Sequence, residues 1–254
     1  MDALLKLDRV SVNFAGLRAL SNVSFNAYAG EVRAVIGPNG AGKTTLFNAI
    51  SGYVPATEGK ILFQNEPIHG LEPHTISAKG VRRTFQNGGL FPEMTALENV
   101  LAGLHVHIES SFLGTLFGTK QAREAAREGI ARALKLLDLM DLGFLADQQV
   151  KNLSGGQQRM VEIVRTLATE PPLLLLDEPV VGLSPPMRNR MMEIIRRLAG
   201  EEGLAIMLIE HAIELVMAGS DVIVVLSSGE LIAEGKPEEV RQNREVLEAY
   251  LGHA

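Results

Sequence analysis

An α/β chain built on a buried parallel sheet is what this sequence predicts, and three observations predict it. Leu173-Leu174-Leu175-Leu176 is an apolar run bounded by Pro171-Pro172 and Pro179. It is too short to span a bilayer and suits a strand buried on both faces. Strand-like segments at 204–209 and 221–226 are separated from it and from each other by helical patterns at about 186–199 and 211–218, the alternation that a parallel sheet produces. Upstream, Glu31-Val32-Arg33-Ala34-Val35-Ile36 reads as a short buried strand. It passes through a glycine-rich turn into the helix-spaced Thr45-Leu46-Phe47-Asn48-Ala49-Ile50, closed by Ser51-Gly52.

The remaining elements follow in chain order. Leu5–Val35 is strand-rich, with Val10, Val12 and Phe14 alternating, and Lys60–Gln64 fits the same sheet. Val81-Arg82-Arg83-Thr84-Phe85 is a short strand-like segment. From about Met94 to Leu142 the pattern turns helical: Gln121–Leu137 places Ala122, Ala126, Ile130, Ala133, Leu134 and Leu137 on one helix face. Residues 90–165 therefore read as a mostly helical subdomain inserted in one domain, 1–254, whose core and N-terminal β subdomain occupy about 1–89 and 166–254. Ser111-Phe112-Leu113-Gly114-Thr115-Leu116-Phe117-Gly118 fits either a segment docking on a membrane partner or lipid, or a loop packed on the helical part.

Composition narrows the classes. The 254 residues suit one large domain or two small ones, and 46% hydrophobic content is ample for a core. A net charge of −6 without a dense Lys/Arg run disfavours nucleic acid as a direct partner. No apolar run approaches the roughly 18 residues needed to cross a bilayer. The start, Met1-Asp2-Ala3-Leu4-Leu5-Lys6, lacks the basic and apolar pattern of a secretion signal. The absence of cysteine excludes disulfides and thiolate metal sites and fits a reducing compartment.

The chemistry begins at Gly37-Pro38-Asn39-Gly40-Ala41-Gly42-Lys43-Thr44, which fits the phosphate-binding pattern G-x-x-x-x-G-K-[ST] between a strand and a helix. Its glycines let backbone N–H groups turn inward around phosphate oxygens, and the helix start at Thr45 adds its positive dipole end. Lys43 supplies charge for the β- and γ-phosphates of a nucleoside triphosphate, and the Thr44 hydroxyl is placed to ligate Mg²⁺. The leucine strand ends in Asp177-Glu178, at the carboxyl edge where open α/β sheets bind ligands. Asp177 would hold Mg²⁺ directly or through water, and Glu178 would act as general base on the attacking water. Gln86 follows one strand-like segment and can ligate a metal or bond water through its amide. His211 follows another, Ala205-Ile206-Met207-Leu208-Ile209-Glu210, and can bond a γ-phosphate oxygen or the hydrolytic water.

Leu153-Ser154-Gly155-Gly156-Gln157 precedes the helical pattern Met160-Val161, Val164, Leu167-Ala168. Ser154 suits an N-cap, and the two glycines leave amides open to an anion. This pentapeptide lies about 110 residues after the phosphate loop and 15–20 before the acidic strand. With that spacing, the chain resembles ATP-binding-cassette (ABC) transporter ATPases from about Leu5 to Gly252. The resemblance implies a P-loop NTPase core with a parallel sheet, an N-terminal antiparallel β subdomain and an inserted helical subdomain carrying the signature. It implies head-to-tail pairing with a second ATPase subunit, so that Ser154, Gly155, Gly156 and Gln157 of one copy meet the γ-phosphate held by the Lys43 loop of the other. It makes Gln86 the residue sensing Mg²⁺ and the membrane partner, His211 the switch histidine, and Phe14 the aromatic stacked on adenine. At Gly182-Leu183-Ser184-Pro185 the family most often has Asp or Asn in place of Ser184, which leaves the cross-dimer hydrogen bond of that turn open.

Gly80-Val81-Arg82-Arg83-Thr84-Phe85-Gln86, Leu90-Phe91-Pro92-Glu93-Met94-Thr95, Leu116-Phe117-Gly118 and Val246-Leu247-Glu248-Ala249-Tyr250-Leu251-Gly252 narrow the resemblance. They are similar to the larger ATPase subunit of branched-chain amino-acid importers. That implies two transmembrane permeases, a solute-binding protein, a homo- or heterodimer of ATPases, and a cytoplasmic place on the inner face of the membrane. Amide or urea importers and lipopolysaccharide exporters share much of this vocabulary, and a cytosolic assembly ATPase is a further alternative. No ATPase residue touches the cargo, so substrate and direction come from resemblance alone.

Overall fold

The computed structural model describes residues 2–84, 89–104 and 120–251, and it divides into two compact units. The first comprises 1–83, 172–181 and 185–254; the second comprises 84–171 and 182–184. Gln86 and the segment 111–118 lie outside the described residues.

The first unit holds two sheets. Strands β1 (Leu5–Phe14), β2 (Leu17–Ala27), β4 (Glu58–Phe63) and β5 (Glu66–Pro67) form an antiparallel sheet in the order β2-β1-β4-β5. The second sheet runs β10-β9-β3-β8-β7-β6, built from β3 (Val32–Ile36), β6 (Val81–Arg83), β7 (Leu173–Asp177), β8 (Ala205–Ile209), β9 (Val222–Ser227) and β10 (Glu230–Gly235). All its pairings are parallel except β9 with β10. Every residue of β3, β7 and β8 is buried, as strands covered on both faces require. One of them is Arg33. Its guanidinium is 3% exposed and paired with Glu31 at 2.7 Å and with Glu234, and it lies 5.6 Å from the centre of the Phe25 ring. Pairing on this scale is what lets a cation sit inside a strand.

Helix α1 (Lys43–Ile50) turns Leu46, Phe47, Ala49 and Ile50 into a core shared by the two sheets with Leu5, Leu7, Ile61, Phe63, Leu175 and Met207. The expected alternation of Val10, Val12 and Phe14 holds only in part. Val10 and Val12 are buried, but so is Ser11, while Phe14 is 44% exposed. Register shifts between Leu7 and Val10 and between Val10 and Val12, with Arg9 at φ +50°, break the period-2 pattern.

The short helix α2 (Pro73–Ala78) belongs to the first unit; in the second unit, helices α3 (Ala96–Leu104), α4 (Lys120–Leu139) and α5 (Gly155–Leu167) pack together. Gly103 is required there: a Cβ would lie 2.4 Å from the Arg165 carbonyl oxygen, so α3 and α5 touch through backbone. Asn99, fully buried, bonds both the N–H and the carbonyl of Phe91. The apolar face expected along Gln121–Leu137 is buried at Ala133 and Leu137, but Ala126 and Ile130 are exposed. The side chain of Ala122 is outside the described residues.

Candidate active site

Strand order assembles the candidate site. The phosphate loop leaves β3, His211 follows β8, and Glu178 follows β7, so three neighbouring parallel strands end at one edge. Register makes this finer. Asp177 pairs with Ile209, which sets Glu178 beside Glu210 and His211.

The loop takes its shape from glycines in the left-handed region, Gly37 at φ +150°, Gly40 at +79° and Gly42 at +100°. Two of them also lack room for a side chain. A Cβ on Gly37 would sit 2.1 Å from the Leu226 oxygen, and one on Gly42 would sit 2.7 Å from the Ala19 oxygen. Lys43 is buried, and its Nζ donates to the carbonyls of Gly37 at 2.7 Å and Pro38 at 2.9 Å. Burial lowers its pKa, opposed by the charges of Glu178 and Asp177. The ammonium is thus held by backbone across the opening of the loop, with two carboxylates in electrostatic reach.

A cavity of ≈ 620 Å³ opens over this edge, lined by Phe14, the stretch from Asn39 to Thr45, Glu178 and His211 among others. Phe14 and Leu17 (70% exposed) form an apolar lip at its mouth, the kind of surface on which a planar base stacks. His211 Nε2 lies 3.0 Å from Glu178 Oε1. An ionised carboxylate has no proton to give, so in that state the imidazole N–H is the donor. Glu178 has φ +53°, a strained backbone for a residue with a long side chain.

Asp177 is 4% exposed, and its Oδ2 accepts from Arg83 Nη2 at 2.8 Å. The sequence reading missed this pairing. An arginine in a short strand carries no signal of its own; only the β6–β7 pairing, with Arg83 level with Leu175, brings it to the acidic edge. Among the described residues no cluster of three or more His, Cys, Asp or Glu could hold a metal. Thr44 and Asp177 nevertheless offer hydroxyl and carboxylate oxygens, which fit Mg²⁺ when phosphates and water complete its shell.

In the second unit, Ser154 caps α5. Its hydroxyl accepts from the Gln157 N–H at 3.3 Å, and Gln157 Oε1 accepts from the Ser154 N–H at 2.9 Å, a capping box. The amides of Gly155 and Gly156 fall in the first turn, where a helix offers no internal acceptor. The cap at Ser154 was expected; the reciprocal part played by Gln157 was missed, although Ser154-x-x-Gln157 has the capping-box spacing. Ser184 is exposed.

A loop with lysine in register, an acidic strand end with histidine beside it, and a serine-capped glycine turn define a nucleotide-hydrolysing cassette. Residues 20–181 match the ABC transporter family, and the chain belongs to it as an ATP-binding, ATP-hydrolysing cassette. Residues 230–254 match a second family, described as branched-chain amino acid ATP-binding cassette transporter. The chain is 42% identical over 251 residues to the high-affinity branched-chain amino acid transport ATP-binding protein BraF of Pseudomonas aeruginosa, covering 99% of this chain and 98% of that protein. It is similar to the crystal structure of an ATP-binding cassette of an ABC transporter in its ADP conformation (TM-score 0.85, 34% identity, 99% of this chain and 100% of that one). It also resembles the dimeric structure of a bacterial ABC transporter cassette (TM-score 0.77, 29% identity, 92% and 98%).

Proposed function

We propose that this chain is the ATPase of a branched-chain amino-acid importer, working as one of two paired cassettes beneath two permease subunits fed by a solute-binding protein. The observation that carries the ATPase chemistry is the convergence of Lys43, Glu178 and His211 on one cavity. The C-terminal match over 230–254 and the full-length likeness to BraF carry the cargo. No helix among the described residues is long and apolar enough to cross a membrane, so the place at the inner membrane face follows from the permease partners. Amide or urea import and lipopolysaccharide export remain the alternatives on cargo.

In this scheme the backbone of Gly37–Gly42 cradles the phosphates, and Lys43 turns from the Gly37 and Pro38 carbonyls to the β- and γ-oxygens. Thr44 and Asp177, with Gln86, would hold Mg²⁺, which when bound offsets phosphate charge. Glu178 takes the proton of the attacking water on the carboxylate oxygen not engaged by His211, and the imidazole keeps that carboxylate aimed. Phe14 stacks on the adenine. Ser154, Gly155, Gly156 and Gln157 of the facing cassette would contact the γ-phosphate, so ATP closes the pair and hydrolysis reopens it.

Glu178→Gln keeps the side chain's size and removes the base. It should bind ATP with parental affinity, lose about 10²–10⁴ in turnover, and accumulate as an ATP-bound dimer in size-exclusion chromatography. Parental turnover in that variant would remove Glu178 from its role.

A further inference from the structure

Glu210 follows the apolar strand β8, yet it is 2% exposed and belongs to no part of the scheme above. Its Oε1 accepts from the Val180 N–H at 2.8 Å, and its Oε2 accepts from the His211 N–H at 3.2 Å. One carboxylate therefore holds two loops, the turn after β7 and the turn after β8. Burial raises its pKa, opposed by those two N–H bonds, while the neighbouring Glu178 raises it further and His211 lowers it. A carboxylate placed at that cost has to be held for a reason found in its partners.

The partners supply the reason. Glu178 sits at φ +53°, a conformation that persists only where its surroundings fix it on both sides. On one side its own N–H donates to the Ile209 carbonyl at 2.9 Å. On the other side, two residues on, the Val180 N–H is fixed by Glu210. Together with the 3.0 Å contact between His211 Nε2 and Glu178 Oε1, this closes a ring. It runs from the Glu178 side chain to the His211 imidazole, through the His211 backbone to Glu210, and through Val180 back to Glu178.

We infer that Glu210 is a positioning residue, a buried brace that locks the strained turn of Glu178 and the loop of His211 into one unit so that base and imidazole meet. It is buried and does not line the cavity over the phosphate loop, so it acts through the residues it fixes. The inference rests on the reading of Glu178 as base.

The test has two arms on the full chain. In the first, amide hydrogen exchange is followed in the nucleotide-free wild type. The Val180 amide should be strongly protected, although it lies in a turn outside any helix or strand; exchange at the rate of an open loop amide overturns the brace. The second arm uses Glu210→Gln, which keeps shape but replaces one acceptor oxygen by an N–H donor facing an N–H. The kcat for ATP should fall about 10- to 100-fold, as for a displaced catalytic group. KM and the dissociation constant for ATP should stay within about twofold of wild type. Parental kcat overturns the proposal, and so does a loss in which kcat, ATP affinity and melting temperature fall together, since that is general destabilisation. Failure of the Glu178 reading shows itself separately, as parental turnover in Glu178→Gln with the Val180 amide still protected.

Discussion

Arg83 is the residue whose surroundings say most about how the acidic edge is kept intact. Its guanidinium pairs with Asp177, the two side chains 6% exposed each, donates to Asn48 Oδ1 at 2.7 Å and Ser51 Oγ at 3.2 Å, and lies 5.7 Å from the centre of the Phe47 ring. It thus joins the end of α1 to the end of β7. A buried pair of this kind adds little over an apolar substitute, but removing one partner leaves a charge in low dielectric. Arg83→Met should therefore destabilise the chain by about 3–5 kcal/mol, read as a lower urea midpoint at unchanged m-value. Replacing Asp177 as well, in Arg83→Met/Asp177→Leu, should recover much of that loss. Equal stability of Arg83→Met and wild type would show that the pair is solvated in solution.

At the scale of elements, helix α9 (Arg244–Leu251), which follows α6 (Pro185–Glu202), α7 (Ile213–Gly219) and α8 (Pro237–Arg241), brings Tyr250 to the phosphate loop. Tyr250 is half-buried, and burial raises its pKa, opposed by a hydrogen bond from the Gly37 backbone. Gly37 is also the residue whose carbonyl holds Lys43. The matched segment 230–254 thus brings a tyrosine beside the backbone of the loop that cradles phosphate. Tyr250→Phe keeps the ring and removes the hydroxyl. One net hydrogen bond is worth about 0.5–1.5 kcal/mol of stability, so the melting temperature should fall by only a few degrees, and ATP binding measured by a fluorescent analogue should weaken by no more than about 10-fold, the factor that the whole of that energy could supply. Unchanged affinity would confine α9 to packing.

For the whole molecule, the decisive property is the cargo, which the residues of the candidate site do not identify. If the chain drives a branched-chain amino-acid importer, cells lacking it should lose high-affinity uptake of radiolabelled leucine. Wild-type chain should restore uptake, and Glu178→Gln should not. Restoration by Glu178→Gln would separate transport from hydrolysis; unaffected leucine uptake in the deletion would move the cargo to the amide or lipopolysaccharide alternatives.

Much of the site was legible because its chemistry is local. Gly37–Thr44 needs consecutive residues to make a nest and a helix start, Ser154 needs only the turn that follows it, and Asp177-Glu178 needs only the end of an apolar strand. Periodicity and alternation were enough for the α/β class and the parallel sheet, because burial on both faces writes itself into consecutive side chains. What tertiary structure alone decided are the contacts between residues far apart in the chain: Arg83 on Asp177, Tyr250 on Gly37, and Glu210 across to Val180. Strand order and register set those meetings, and neither is encoded in any short window. A buried charge is stable only beside the partner that such long-range pairing brings to it.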